Sequence, residues 1–424
     1  MSDLPAFHTV TSPWRAWGGA LVFGLLVYLC TAGAMPPDAE LAQQLILAKL
    51  FIAASSLLLL AGTPRPYIDS GIRWLLIALL VAMAVSTFGA PRWPLALDRL
   101  LLYYGLALLG FAIFLWQRAT PVDLAPYLVA IGVVHALVLV DVVFWLVMVQ
   151  RGDASAAHMP HFGNVRHFGY LGYLAAAAGA ALVLQSHRLA LTGVLLGAAA
   201  LFGIVQLGSR GAFVAWLVFV AAMLWPAGHR LRFLLHAGLA LALAAGVSLL
   251  LQTQGLLTSK HLWARARLGN IASTNDRLEL WLDALRGIAA HPWFGWGPDG
   301  HIASQCCPGR GLYLANTAQA HNFVLQSLEE FGLVGTLLLL ALALRLLRRA
   351  PRPWRWRESA EQHTGVRALI ALLTGYAAFG LVDGVFYYPV PLMQFAVWSG
   401  LLFAATARAR ELAQNQPDDQ NRGF

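Results

Sequence analysis

The sequence predicts an all-α polytopic membrane protein of about 12 transmembrane helices, with one large, partly helical periplasmic loop between helices 9 and 10. Three observations carry that class. Of 424 residues, 59% are hydrophobic and 12% charged, about half the charge of a soluble chain. Apolar runs of roughly the 20 residues that cross a bilayer recur along the chain. Runs such as Leu21 to Leu29 are continuously apolar, which excludes the alternating strands of about ten residues found in outer-membrane barrels. The same composition excludes disorder, collagen, coiled coil and a disulfide-stapled secreted module.

Breaking the apolar runs at proline, glycine and charge places spans at 14–34, 42–61, 71–89, 95–116, 122–149, 167–186, 189–207, 211–227, 231–252, 323–347, 366–385 and 391–409. No small-residue cleavage site follows the first run, which therefore reads as a first helix and not as a removed signal peptide. An even number of spans puts both termini on one side, and arginine says which. With the N-terminus inside, the inner segments hold Arg15, Arg65, Arg73, Arg118, Arg188, Arg230, Arg232, Arg408, Arg410, Arg422 and the cluster from Arg345 to Arg367. The short outer connections hold Arg92, Arg99, Arg151, Arg166 and Arg210. The inner excess places both ends in the cytoplasm. The layout is helices 1–9 over residues 1–252, a periplasmic loop over 253–322, helices 10–12 over 323–410 and a cytoplasmic tail over 411–424.

The net charge of +9 comes from 29 basic residues, of which Lys49 and Lys260 are the only lysines. The basic residues lie in short segments between apolar spans, which points to membrane lipids or phosphate as partners and away from nucleic acid. Cys30, Cys306 and Cys307 match no zinc spacing. Adjacent Cys306 and Cys307 read as two free thiols more readily than as a strained vicinal disulfide.

The connection from Gln252 to Asn322 is too long for a passive linker in a helical bundle. Its centre carries a helix signal: Asp276 reads as an N-cap with Glu279 as reciprocal partner, and Leu278, Trp281, Leu285 and Ile288 share one face before His291-Pro292 ends the run. Gly295, Gly297, Pro298 and Gly300 follow as turns. The chain shows neither a fixed-period repeat nor the paired broken helices typical of transporters.

Candidate chemistry gathers around that loop. In HNFVLQSLEEFGLVG, His321 and Asn322 stand where the loop enters the tenth span, and Gly332 and Gly335 follow. A histidine near a helix start is kept neutral by the dipole and can act as a base, or it can simply cap the helix. Arg210, between Gly208-Ser209 and Gly211, is placed either to bind an anion beside open backbone or to snorkel to headgroups. Arg277, read at the first turn of the loop helix, opposes the dipole unless an anion sits there; its alternative is a pair with Glu279 or Asp283. Lys49, Asp141, Glu329, Glu330 and Asp383 lie inside apolar spans and fall on the periplasmic half, as an outward polar cavity or as mutual pairs. His161 to His167, which includes Arg166, adds a polar outer connection. No Walker loop, dinucleotide fingerprint, HExxH, nucleophile elbow or D-x-D pair appears, so the site is expected to need neither cofactor nor metal.

Taken together, the His321-Asn322 motif with Gly332 and Gly335, the Arg210 connection, the loop with Arg277, and His291-Pro292-Trp293-Phe294-Gly295-Trp296-Gly297-Pro298 resemble the bacterial O-antigen ligases. These are part of a wider group of GT-C-like membrane glycosyltransferases that includes O-antigen polymerases and protein O-oligosaccharyltransferases. The resemblance covers essentially the whole chain. It implies transfer of a glycan from undecaprenyl diphosphate to a hydroxyl of lipid A-core, at a periplasmic site and without a metal. It also implies His321 as general base and Arg210 and Arg277 as diphosphate ligands, with Asn322, Asp383, Lys49, Arg166 and Glu330 as supporting residues. Asp383 stands opposite a functional acid of the family, and Glu330 fits the family pattern before Gly332. One departure concerns Asn164, which is followed by Val165 and Arg166 instead of an Asn-Pro-Asn-like continuation; this weakens a donor role for that connection. The alternatives with the same donor are a polymerase and a protein O-oligosaccharyltransferase. The alternative from another class is a lipid or glycan transporter.

Overall fold

The computed structural model describes residues 70–118, 124–151, 165–185, 187–225, 230–256, 272–304, 319–349 and 364–414, with scattered positions between 17 and 60. Those scattered positions are helical. The elements that follow are α1 (Ser70–Phe88), α2 (Trp93–Arg118), α3 (Ala125–Arg151), α4 (Val165–Gln185), α5 (Ala190–Gln206), α6 (Arg210–Leu224), α7 (Arg230–Thr253), α8 (Ala272–Ala290), α9 (Gly300–Ser304), α10 (Phe323–Arg349), α11 (Thr364–Gly380) and α12 (Pro389–Gln414). No strand occurs among the described residues.

Seven of these helices (α1, α2, α3, α4, α7, α10 and α12) are long and apolar enough to cross a membrane. The shorter α5, α6 and α11 are also apolar, over 17, 15 and 17 residues. These ten match the third to twelfth expected spans to within a few residues at their ends, and the architecture is that of a helical membrane protein. The first two expected spans, and with them the total of twelve, lie largely outside the described residues. Prolines respect the helix rules: Pro94 is in the first turn of α2, and Pro389 and Pro391 open α12, where the missing N–H has no intrahelical partner to lose.

Helix α4 is the centre of the bundle and is almost wholly enclosed, between α3, α5, α6, α7 and α11. Its run of small residues from Ala175 to Ala181 makes this possible. A Cβ on Gly179 would lie 2.6 Å from the carbonyl oxygen of Gly193 and the nitrogen of Gly197, so α4 and α5 meet backbone to backbone, the small-residue contact that drives helix association in lipid. Buried tyrosines with paired hydroxyls fill part of the rest. The Tyr173 hydroxyl donates to the Leu372 carbonyl at 2.6 Å and the Tyr376 hydroxyl to that of Pro391 at 2.9 Å. A smaller core of Leu79, Met83, Leu100, Phe331 and Leu342 joins α1, α2 and α10.

Between α7 and α10, helix α8 packs on α10, and two local expectations are corrected. The helix begins at Ala272, four residues before Asp276, because Ser273, Thr274 and Asn275 are only mildly unfavourable inside a helix and do not stop it. Asp276 is therefore no N-cap, and Arg277 lies in the second turn, where the dipole has largely faded. The expected apolar face is also split: Leu278 and Leu285 are exposed, whereas Leu280, Asp283, Ala284 and Gly287 are buried. The face with small side chains at Ala284 and Gly287 is the one that fits against its neighbours.

Gly179→Val is expected to force α4 and α5 apart and to destabilise the protein by about 1–3 kcal/mol, the usual cost of overpacking. A thermal melt in detergent checks this, with Gly238→Ala as the control that should melt like wild type, since a Cβ there meets nothing within 4 Å.

Candidate active site

The site is organised by a break in α10. Gly332 has φ +63° and ψ −169° inside that helix, a conformation that only glycine adopts without strain. The break frees backbone groups that an apolar setting requires to be paired. The carbonyls of Glu329 and Glu330 accept the amides of Trp296 (2.8 Å) and Gly297 (2.9 Å), and the amides of Leu333 and Val334 reach Pro292 (2.8 Å) and Trp293 (3.1 Å). The glycine-rich segment from His291 to Gly300 thus lies against the break as a strap. Gly295, at φ +69°, passes so close that a Cβ would be 2.6 Å from the Glu330 carbonyl.

The two carboxylates at the break fasten different pieces. Glu329, fully buried, accepts from Ser304 Oγ at 2.6 Å and is paired with His301 Nδ1 at 2.8 Å, which fixes α9. Glu330 accepts from Gln326 at 2.8 Å and from the Tyr103 hydroxyl at 3.1 Å, and its carbonyl also takes the Ser86 hydroxyl at 2.6 Å. Arg99, only 1% exposed, donates to Asp299 at 3.1 Å and to the Tyr387 carbonyl at 3.0 Å, with its guanidinium 4.3 Å from the Tyr387 ring centre. It ties the strap to the loop between α11 and α12. Burial, reinforced by neighbouring Asp299, pushes the Tyr387 hydroxyl above its ordinary range and keeps it protonated.

His321 lies beside this scaffold, buried, with φ +52°, an uncommon backbone state for a residue with a side chain and one often met at functional sites. Asn322 caps α10: its Oδ1 accepts the amides of Val324 (3.0 Å) and Leu325 (3.2 Å), and its Nδ2 donates to the Leu381 carbonyl at 3.1 Å. Trp281 of α8 holds the preceding carbonyl of Ala320 at 3.1 Å. So fixed, the His321 ring puts Nδ1 3.1 Å from Asp383 Oδ1. The same Oδ1 accepts from the Tyr170 hydroxyl at 3.1 Å and from the Gly384 amide at 2.8 Å. Arg277 Nη2 stands 3.8 Å from Asp383 Oδ2, and its Nη1 donates to the Val382 carbonyl.

The structure thus brings together His321, Asn322, Asp383 and Arg277. Arg277 is drawn to Asp383, a partner that the sequence did not suggest. Arg210 is exposed at the first residue of α6. Its neighbours Ser209 and Gly211 pack on Gly169 of α4 and Phe379 of α11, so it belongs to the same end of the bundle as Tyr170 and Asp383 without a recorded contact to the dyad. Glu330 belongs to the break and Lys49 pairs with Asp98. Asp141 is exposed on α3. Helix α4 contains Arg166, whose side chain lies outside the described part, as do Gly163, Asn164, Cys306 and Cys307. Sequence reasoning missed Tyr170, Arg99, Asp299 and His301. The detectable signal was an aspartate and an arginine, Asp98 and Arg99, at the fourth and fifth positions of an apolar span expected to begin at 95. Among the described residues, no three His, Cys, Asp or Glu side chains are grouped to hold a metal.

A helical membrane bundle with a histidine–carboxylate pair beside an arginine is the class that fold and site define. Residues 195–340 match the model of the O-antigen ligase family, a stretch that contains Arg210, Arg277, His321 and Glu330 and stops before Asp383. An O-antigen ligase of Pseudomonas aeruginosa is 30% identical over 223 residues, 50% of this chain and 48% of that protein. The chain thus spans about half the length of the curated relative it matches. Both comparisons point to the O-antigen ligases, as the sequence resemblance does.

Gly332→Ala should release the strap: an L side chain at this backbone geometry costs about 1–3 kcal/mol before any clash with the Trp293 backbone. Limited proteolysis is expected to cut the segment 291–300 faster in the variant than in wild type.

Proposed function

We propose that this protein is an O-antigen ligase, a membrane glycosyltransferase that moves a glycan from undecaprenyl diphosphate to a hydroxyl of lipid A-core on the periplasmic face of the inner membrane. The observation that carries this reading is the contact between His321 and Asp383 beside Arg277, with His321 and Arg277 inside the stretch that matches the ligase family. If Nδ1–H is donated to the carboxylate, Nε2 is left as the unprotonated atom. It takes the proton of the acceptor hydroxyl while that oxygen bonds to the anomeric carbon and the bond to the diphosphate breaks. The proton ends on His321, and the electron pair of the broken bond leaves with the lipid diphosphate. Arg277 and exposed Arg210 are the cations available to that growing negative charge, a stabilisation in which they take the role a metal would otherwise serve. Asp383 sets the orientation of the base and balances the imidazolium that forms. Asn322, Glu330 and Lys49 support the architecture and do not touch the reacting atoms.

A lipopolysaccharide gel from the native bacterium with the gene deleted, then complemented, tests this. Loss of the O-antigen ladder with accumulation of lipid-linked polymer, restored by wild type and not by His321→Ala, is the expected outcome. A surviving single-repeat product would instead make the protein a polymerase, and an untouched ladder would sink the lipid A-core acceptor. With purified protein, His321→Ala and Asp383→Asn should each lower transfer by about 10²-fold or more. Arg277→Ala and Arg210→Ala should each impair use of the donor at least tenfold, on the order expected for one charge-stabilising group; unchanged donor kinetics would remove them from the site. Chelators should leave the rate unchanged. The proposed orientation has its own check: in a background without native cysteines, probes at Gln254→Cys and Arg348→Cys should label from opposite sides of the membrane.

A further inference from the structure

We propose that Tyr170 is a positioning residue for the transfer reaction, its hydroxyl fixing Asp383 against the rigid bundle so that the carboxylate stays aligned with His321 when Arg277 turns to the donor. The inference rests on the ligase reading and adds to it a residue that neither the comparisons nor the motifs single out.

Four described groups approach the Asp383 carboxylate: Tyr170 Oη, His321 Nδ1 and the Gly384 amide at hydrogen-bond distance from Oδ1, and the Arg277 guanidinium as an ion pair 3.8 Å from Oδ2. They differ in what they are attached to. Arg277 is the long and mobile one, with its side chain 32% exposed, and a lipid diphosphate is a stronger attractor for a guanidinium than a carboxylate already shared by three donors. The Gly384 amide is the next residue of the same loop, so it moves with Asp383 and cannot locate it. His321 is the group to be oriented. Tyr170 alone of the four sits in α4, the most enclosed helix, and its ring is held by Phe379 at 5.2 Å, His167 at 5.7 Å and Tyr388 at 5.8 Å between centroids. The phenol is therefore the fixed reference for the carboxylate once Arg277 is engaged. Among the described contacts, the other titratable or charged groups facing this pair are His167 of α4 and Tyr388 of the α11–α12 loop, both against the Tyr170 ring, and Arg277 of α8 at the carboxylate.

The test uses the purified full-length protein with undecaprenyl-diphosphate-linked O-antigen and lipid A-core. Tyr170→Phe keeps the ring and removes the hydroxyl. We expect kcat to fall about 10- to 100-fold, the range for losing a hydrogen bond to a charged group, with the donor KM changed less than about twofold. The acid limb of the kcat profile should move to higher pH: a carboxylate relieved of one donor holds the imidazolium more strongly, so more alkaline conditions are needed to free the base. A ring-fluorinated tyrosine at position 170, a stronger donor, should move the limb the opposite way. A merely structural role would lower stability without moving the limb in opposite directions in the two proteins. If Tyr170→Phe does not fold, the fluorinated protein decides. Wild-type kcat and an unmoved limb overturn the proposal. If His321→Ala and Asp383→Asn abolish transfer while Tyr170→Phe does not affect it, the positioning role alone falls. If His321→Ala is fully active, the reading of the site falls with it.

Discussion

The rest of the site depends on one backbone constraint: a helix broken at Gly332 within an otherwise apolar segment must have its freed groups paired. The four hydrogen bonds between the strap and residues 329–334 meet that requirement. Once the strap is bound, Asp299 and His301 follow it in sequence and are delivered to Arg99 and Glu329. Arg99 in turn reaches the Tyr387 carbonyl on the loop that also carries Asp383. A local irregularity in one helix thereby fixes the relative placement of two connections far apart in the chain.

A second economy is visible at Asp383. Its Oδ1 accepts from α4, from the entrance to α10 and from its own loop, so one buried carboxylate is both a structural knot and the orienting partner of His321. Burial of an acid among apolar helices is costly unless its lone pairs are occupied, and here the groups that occupy them are also those that define the site. Glu329 and Glu330 follow the same rule with different partners, which explains how adjacent acids are tolerated at the break.

Much of this was legible in the sequence because its signals are local. Apolar run length marked the helices, and the residue types at His321 and Arg277 marked two side chains that meet at Asp383. The partners were not legible, because they depend on which helix ends meet. Nothing in the sequence links Tyr170 to Asp383 across more than two hundred residues, and Arg99 read as an outer-connection charge because its position a few residues into an apolar run does not reveal Asp299. Gly332 was noted as part of a motif, but a glycine in a helical pattern is ordinary, and only the docking of the strap makes this one a break. The α8 corrections have the same origin: periodicity identified an amphipathic helix and left open which face its neighbour would accept.

The placement of these groups also has an electrical consequence. His321 precedes α10, Asp383 follows α11, Arg210 opens α6 and Tyr170 lies near the start of α4, so the ionisable groups gather at helix ends on one face of the bundle. A charge that traverses the full bilayer exchanges about 2.3 kcal/mol with each 100 mV of membrane potential; in the transfer we propose, a proton passed between acceptor and imidazole at helix ends would cross almost none of that field. Turnover would then be decoupled from the energised state of the membrane, with its driving force in the bond to the proposed diphosphate leaving group.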